Sequence, residues 1–288
     1  MRPTPAAALP AADLPPRPPR RGAGGAGLGI AAAVAALLLA APQSSAVEGG
    51  WHENPQSRVR LVSPYAQAPA AGPWRLGLEF ETAEGWHVYW KNSGDAGYPP
   101  VIDFAATPGA GAVEIGWPAP ERYLLAGDLE ALGYEGQVIY PLALSIEPSA
   151  GGTLTVAADL DYLICEVDCI PYRYRLTLEQ PVAAAGAAAV ADPGAAERLA
   201  VWEARLPRPA VEAGVVTEAA LDVADPEAPV LEVRVRDARA AADAEPALFL
   251  EAHETFDFGV PERAAGEGGG DLLFRVPAPW WQVPDPLP

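Results

Sequence analysis

"TLTVAADLDYLICEVDCIPYRYRLTLE", residues 153–179, alternates apolar and polar side chains on either side of a short break at Glu166–Asp168. Alternation with a period of two marks a half-buried strand. Leu160, Tyr162 and Ile164 share one face before the break, and Tyr172, Tyr174 and Leu176 share one after it. These runs predict two strands joined by a tight hairpin with "EVD" at its tip. At that tip stand Cys165 and Cys169, the two cysteines of this 288-residue chain. Along a straight strand, residues four apart lie about 13 Å from one another. A disulfide needs Cα atoms within about 7 Å. The pair can bond only if the chain turns between them.

The same pattern extends upstream. "RVRLVS" (58–63), "WRLGLEFET" (74–82), "WHVYWK" (86–91), "VEIGW" (113–117) and "QVIYPLALSIE" (137–147) alternate or are rich in β-branched and aromatic residues. Turn signals separate them at "AEG" (83–85), "NSGDAGYPP" (92–100), "PGAGA" (108–112) and "PSAGG" (148–152). Short strands with regular turns predict an all-β fold, an immunoglobulin-like antiparallel sandwich over 47–182. Trp86, Val88 and Trp90 fall on one strand face and are expected in its core. Asp95, Gly97 and Pro99–Pro100 read as loop chemistry.

Composition shifts after residue 182. Residues 183–209 are rich in alanine and proline. Asp192 before Pro193 is an N-cap and first-turn pair, which predicts a linker helix from about Pro193 to Arg205. Pro207 and Pro209 forbid its continuation. From 210 to 288 β patterning returns in "VEAGVVTEAALDV", "PVLEVRVRD", "ALFLEAHETFDF" and "DLLFRV". A second, smaller β domain is expected there. The proline-rich ending "PAPWWQVPDPLP" marks that domain as incomplete or as one part of a longer protein.

The first 46 residues read as a signal peptide. Arg17, Arg20 and Arg21 precede a 14-residue apolar run, 28–41, and "SSA" (44–46) sets small residues for cleavage after Ala46. That run is shorter than the roughly 20 residues of a transmembrane helix, so the chain is expected to be exported to the periplasm, with an uncleaved N-terminal membrane anchor as the alternative. Nineteen basic residues against 38 acidic ones give a net charge of −19, and Lys91 is the only lysine. Such a surface repels phosphate backbones and anionic headgroups, so nucleic acid is excluded as a partner.

Outside the cytosol, disulfides form and persist, and a close Cys pair is a candidate disulfide. By the chain-entropy argument a loop of about five residues yields only ~2 kcal/mol, against ~4.7 for 100 residues. A chain with this much core gains little from such a staple, which favours a redox-active pair over a structural one. A non-catalytic binding or assembly module with a static disulfide is the alternative, and copper sequestration by two thiolates is a third. No metal set is expected: Met1 is the only methionine and His52, His87 and His253 are scattered. Glu166 and Asp168 flank the sulfurs, and negative charge disfavours a thiolate, although Arg173 and Arg175 offset it in part. Such a pair suits a relay that waits for a docked partner.

"LDYLICEVDCIP" (160–171) resembles the cysteine hairpin of the N-terminal periplasmic domain of DsbD-type thiol:disulfide interchange proteins, in particular the suppressor of copper sensitivity protein B branch. "YWKNSGDAGYPP" (89–100), "WPAPERY" (117–123) and "GYEGQVIYPL" (133–142) fit that branch in order and spacing. The resemblance implies a sandwich whose Cys165 and Cys169 are the catalytic redox pair, with no cofactor. It implies a membrane-embedded electron donor, a periplasmic thioredoxin-fold acceptor, and a role in cytochrome c biogenesis or copper tolerance. It also implies an aromatic cap over the disulfide. The nearest match is the loop 126–136, with Tyr134 as the shield. The three-residue spacing between the cysteines departs from classical DsbD, and the membrane domain that would supply electrons is missing from this sequence.

Overall fold

The computed structural model describes residues 47–125, 127, 129–147, 151–225, 227–236, 246–251, 258–264 and 271–278. The proposed signal peptide, His253 and the last ten residues lie outside them.

Two antiparallel sheets face one another. The first runs β1 (Val47–Glu48), β3 (Ser57–Ser63), β5 (Gly72–Thr82), β11 (Gln137–Ile146), β8 (Ala110–Ile115), with β2 (His52–Glu53) beside β3. The second runs β13 (Cys169–Val182), β12 (Gly152–Cys165), β6 (His87–Gly94), β10 (Glu130–Glu135), β9 (Glu121–Leu124), with β7 (Val101–Asp103) beside β12. The all-β sandwich expected from the alternation is the fold observed. The shortest strands were not visible in the sequence, because two to four residues are too few to show a period.

Alternation decides what fills the space between the sheets. Leu61, Leu76, Leu78 and Phe80 from the first sheet meet Val88, Trp90, Val156, Leu160, Tyr162 and Ile164 from the second, all nearly or fully buried. Burying aliphatic and aromatic side chains of this size contributes about 1.5–3 kcal/mol each. The buried hydroxyls have partners. Tyr140 Oη donates to the Tyr89 carbonyl at 2.9 Å, linking β11 to β6 across the sandwich. Tyr162 Oη lies 2.9 Å from both Asn54 Nδ2 and Ser57 Oγ.

The linker helix, α1 (Pro193–Glu203), starts at Asp192, whose Oδ1 accepts from Ala195 N at 2.8 Å. It is more than a connector. Leu199 packs with Val62 and Ile139 on the outer side of the first sheet. Gly77 makes room there, since a Cβ at that position would come within 2.6–2.7 Å of Ile139 and Val62. Beyond a short helix, α2 (Ala210–Ala213), comes a second antiparallel sheet unit: β15 (Val216–Asp222), β16 (Val230–Arg236), β18 (Leu272–Pro277), β17 (Glu262–Ala264).

Of the stretch read as β over 247–258, residues 252–257 lie outside the described residues and the start has another role. Residues 246–251 pair with no strand among the described residues, and serve as a strap. Leu248 packs with Val233, Leu272 and Phe274 of the second unit. Phe249 packs against the sandwich core, its ring 6.1 Å from that of Trp90. Arg122 donates to the Leu248 carbonyl at 2.9 Å and Asn92 to the Leu250 carbonyl at 2.8 Å.

Candidate functional site: the hairpin disulfide

Strands β12 and β13 pair without interruption from Gly152↔Val182 to Cys165↔Cys169. Glu166, Val167 and Asp168 close the turn, and the two sulfurs are bonded with Cα atoms 4.2 Å apart. The two positions differ in access. Cys165 is 1 % exposed, whereas Cys169 lies at the surface. Val167, between them, is 85 % exposed.

Strand parity sets what surrounds the bond. Ile164 points into the sandwich core, so Cys165, its neighbour, points out through the opposite face of the sheet. There it joins a second apolar cluster of Tyr89, Ala131 and Leu163, against which Tyr123 and Leu125 pack. Register brings His87 opposite Cys165 and Val88 opposite Ile164. In "WHVYWK" the residues between those expected in the core therefore face the disulfide.

Tyr89 is fully buried and its hydroxyl lies 3.7 Å from Cys169 Sγ. A disulfide sulfur carries no hydrogen, so the phenol is the donor. Burial pushes the Tyr89 hydroxyl up to about 12, which keeps it protonated. Gly97 presses on this ring from the loop that follows β6. Its φ is +89°, and a Cβ there would sit 2.2–2.6 Å from three carbons of the Tyr89 ring. Ser93 Oγ donates to the Gly97 carbonyl at 3.0 Å and steadies the loop.

Tyr134 is placed differently from the expectation. It is register partner of Val88 and so faces the core, where its ring meets Tyr140 edge-on at 5.3 Å. Its hydroxyl donates to the Pro118 carbonyl at 2.6 Å. Burial holds its phenol far above the ordinary tyrosine range. Cys165 lies on the other face of the sheet, so Tyr134 does not cover the disulfide; Tyr89 is the ring that contacts it, and the hairpin β9–β10 contributes Tyr123 and Leu125 rather than Tyr134.

His87 completes the cluster. Its ring stacks on Tyr123 at 4.7 Å with an 11° tilt and meets Tyr89 edge-on at 5.1 Å. Only 2 % of it is exposed, and desolvation lowers its pKa, with Glu135 opposing. Acidic groups ring the turn. Glu135 Oε1 accepts from Gly85 N at 2.6 Å, and the Glu166 carboxylate lies against Gly85. Arg173 and Arg175 point elsewhere, paired with Asp161 and Asp159 at 2.6 Å. They do not relieve the acidity at the sulfurs. Among the described residues, no three His, Cys, Asp or Glu side chains gather as a metal-binding group.

The immunoglobulin-like sandwich thus carries a hairpin whose two cysteines are bonded, Cys165 buried and Cys169 exposed. Residues 58–181, most of the sandwich, match the family model described as thiol:disulfide interchange protein DsbD, N-terminal. The chain is also similar in fold to the crystal structure of the N-terminal periplasmic domain of ScsB from Proteus mirabilis. The TM-score is 0.59 at 22 % identity, over 82 % of this chain and 87 % of that one. No curated protein matches.

Proposed function

We propose that this chain is a periplasmic thiol:disulfide interchange module that takes electrons from a membrane-embedded partner and passes them to a thioredoxin-fold protein. The observation that carries the reading is the asymmetric hairpin disulfide. A bond closing so small a ring adds little stability, and opening it leaves the β12–β13 ladder below it intact. Its exposed sulfur is the one a partner can reach. The family match supports interchange chemistry, and the ScsB likeness supports a periplasmic setting. No described helix is long and apolar enough to cross a membrane, so the electron donor is assigned to a separate domain or subunit.

The exchange runs through Cys169. A donor thiolate attacks Cys169 Sγ, the Cys165–Cys169 bond breaks, and Cys165 leaves with the electron pair. A second donor thiol then displaces Cys169 and the domain becomes a dithiol. Towards the acceptor the order reverses. Cys169 attacks the acceptor disulfide, and Cys165 then closes on Cys169 to release the acceptor reduced.

Single substitutions test this. Cys165→Ala leaves the exposed nucleophile without its resolving partner. It should accumulate a mixed disulfide with an oxidised thioredoxin-fold protein, visible by non-reducing electrophoresis and mass spectrometry. Cys169→Ala should trap at least tenfold less, because Cys165 is buried. If neither variant captures the oxidised protein, the pair is a static bond and the reading is lost.

A further inference from the structure

One buried polar atom beside the disulfide has no function in the steps above. His87 Nε2 has no hydrogen-bond partner, although the side chain is 2 % exposed. A buried polar group left unpaired is costly, and in a native fold such a group calls for an explanation, a redox or catalytic role among them. His87 stands opposite Cys165 in the β6–β12 register, on the same face of the sheet. Directly opposed residues have Cβ atoms about 4.5–5.5 Å apart, within reach of a sulfur freed from its bond. In the oxidised state Cys165 Sγ is committed to Cys169. In the dithiol state it is not.

We infer that His87 is the proton acceptor for Cys165 in the step that closes the disulfide. The inference rests on the interchange reading. In the mixed disulfide, Cys165 carries a thiol proton. That proton passes to His87 Nε2 while the sulfur electron pair attacks Cys169 Sγ. The bond between Cys169 and the acceptor breaks, and the acceptor sulfur leaves as a thiolate with that electron pair. The proton on His87 then goes to this thiolate or to solvent. The acceptor disulfide is reduced, the domain dithiol is oxidised, and no other reagent enters.

The surroundings suit a base at this place. Cys165 is buried and flanked in the chain by Glu166 and Asp168, so an unaided thiolate is disfavoured. A neutral imidazole is the form that accepts a proton, and desolvation keeps His87 neutral. The groups facing it are Tyr89 on its own strand, Tyr123 on β9, Glu135 on β10 and Cys165 on β12. Burial keeps both phenols protonated, and Tyr123 Oη also donates to Glu121 at 3.2 Å. The Glu135 carboxylate favours the imidazolium once it forms.

The test follows the two steps separately. Reduced protein is mixed with oxidised glutathione, quenched with acid at intervals, and weighed by mass spectrometry. The Cys169–glutathione adduct reports the first step, and its conversion to the internal disulfide reports the second. His87→Gln keeps a planar polar side chain without the base, and His87→Phe keeps the stacking on Tyr123. Both variants should form the adduct at the wild-type rate and close it roughly 100-fold more slowly at pH 7, the low end for general-base catalysis. The gap should narrow as pH rises past the thiol's own titration, about 8.5 for an unperturbed cysteine. Wild-type closure rates in either folded variant, or a gap independent of pH, would overturn the inference. Failure of the wild-type protein to form any adduct would instead remove the interchange reading and this inference with it.

Discussion

Cys165 and Cys169 are four residues apart and face each other across one rung of a ladder, yet only one is open to solvent. The ring against Cys169 is Tyr89, and Gly97 packs against that ring. At Gly97 two constraints coincide, a φ of +89° and a ring that leaves no room for a Cβ. Gly97→Ala should cost about 1–3 kcal/mol in backbone strain alone. It should also push Tyr89 away from Cys169 and speed reduction of the disulfide by glutathione. Urea unfolding and the reduction rate measure the two effects apart. An unchanged rate in a destabilised protein would mean that Tyr89 shields nothing.

At the scale of elements, the β12–β13 hairpin was legible because its alternation is long, fourteen residues on each arm. The β9–β10 hairpin was not, since its arms have four and six residues and its apolar positions belong to two different clusters. Its partner across the sheet, β6, carries both kinds of side chain: Val88 and Trp90 for the core, His87 and Tyr89 for the disulfide. Helix α1 shows how much a local signal can do. Asp192 caps it, and the first turn follows from Pro193. Asp192→Ala should lower stability by about 0.5–2 kcal/mol, read as a lower melting temperature with no change in the rate of disulfide exchange, since α1 covers the sheet remote from the cysteines.

At the scale of the whole molecule, the strap 246–251 joins the two β units. Leu248 is in one apolar cluster and Phe249 in the other. Arg122 ties this strap to β9, and also pairs with Glu130 at the start of β10, so the strap is bonded to the hairpin that lines the disulfide. Phe249→Ala should remove the larger anchor and separate a single unfolding transition into two in calorimetry, the sandwich melting at the higher temperature. A single transition displaced as a whole would show that the two units fold as one.

The sequence by itself determined the longer strands, the cysteine hairpin and its turn at Glu166–Asp168, because period-two alternation and the reach of a disulfide are local properties. It also carried the family resemblance, in motifs that lie within the matched residues 58–181. Only the tertiary structure decided which aromatic lies against the cysteines and which cysteine is exposed. Tyr134 reads as part of a cap loop and Tyr89 as part of a strand; the register of β6 against β10 and β12 sends the first into the core and the second to the disulfide. A strand has two faces one residue apart, and pairing across the sheet, which no local pattern encodes, settles which face meets the site.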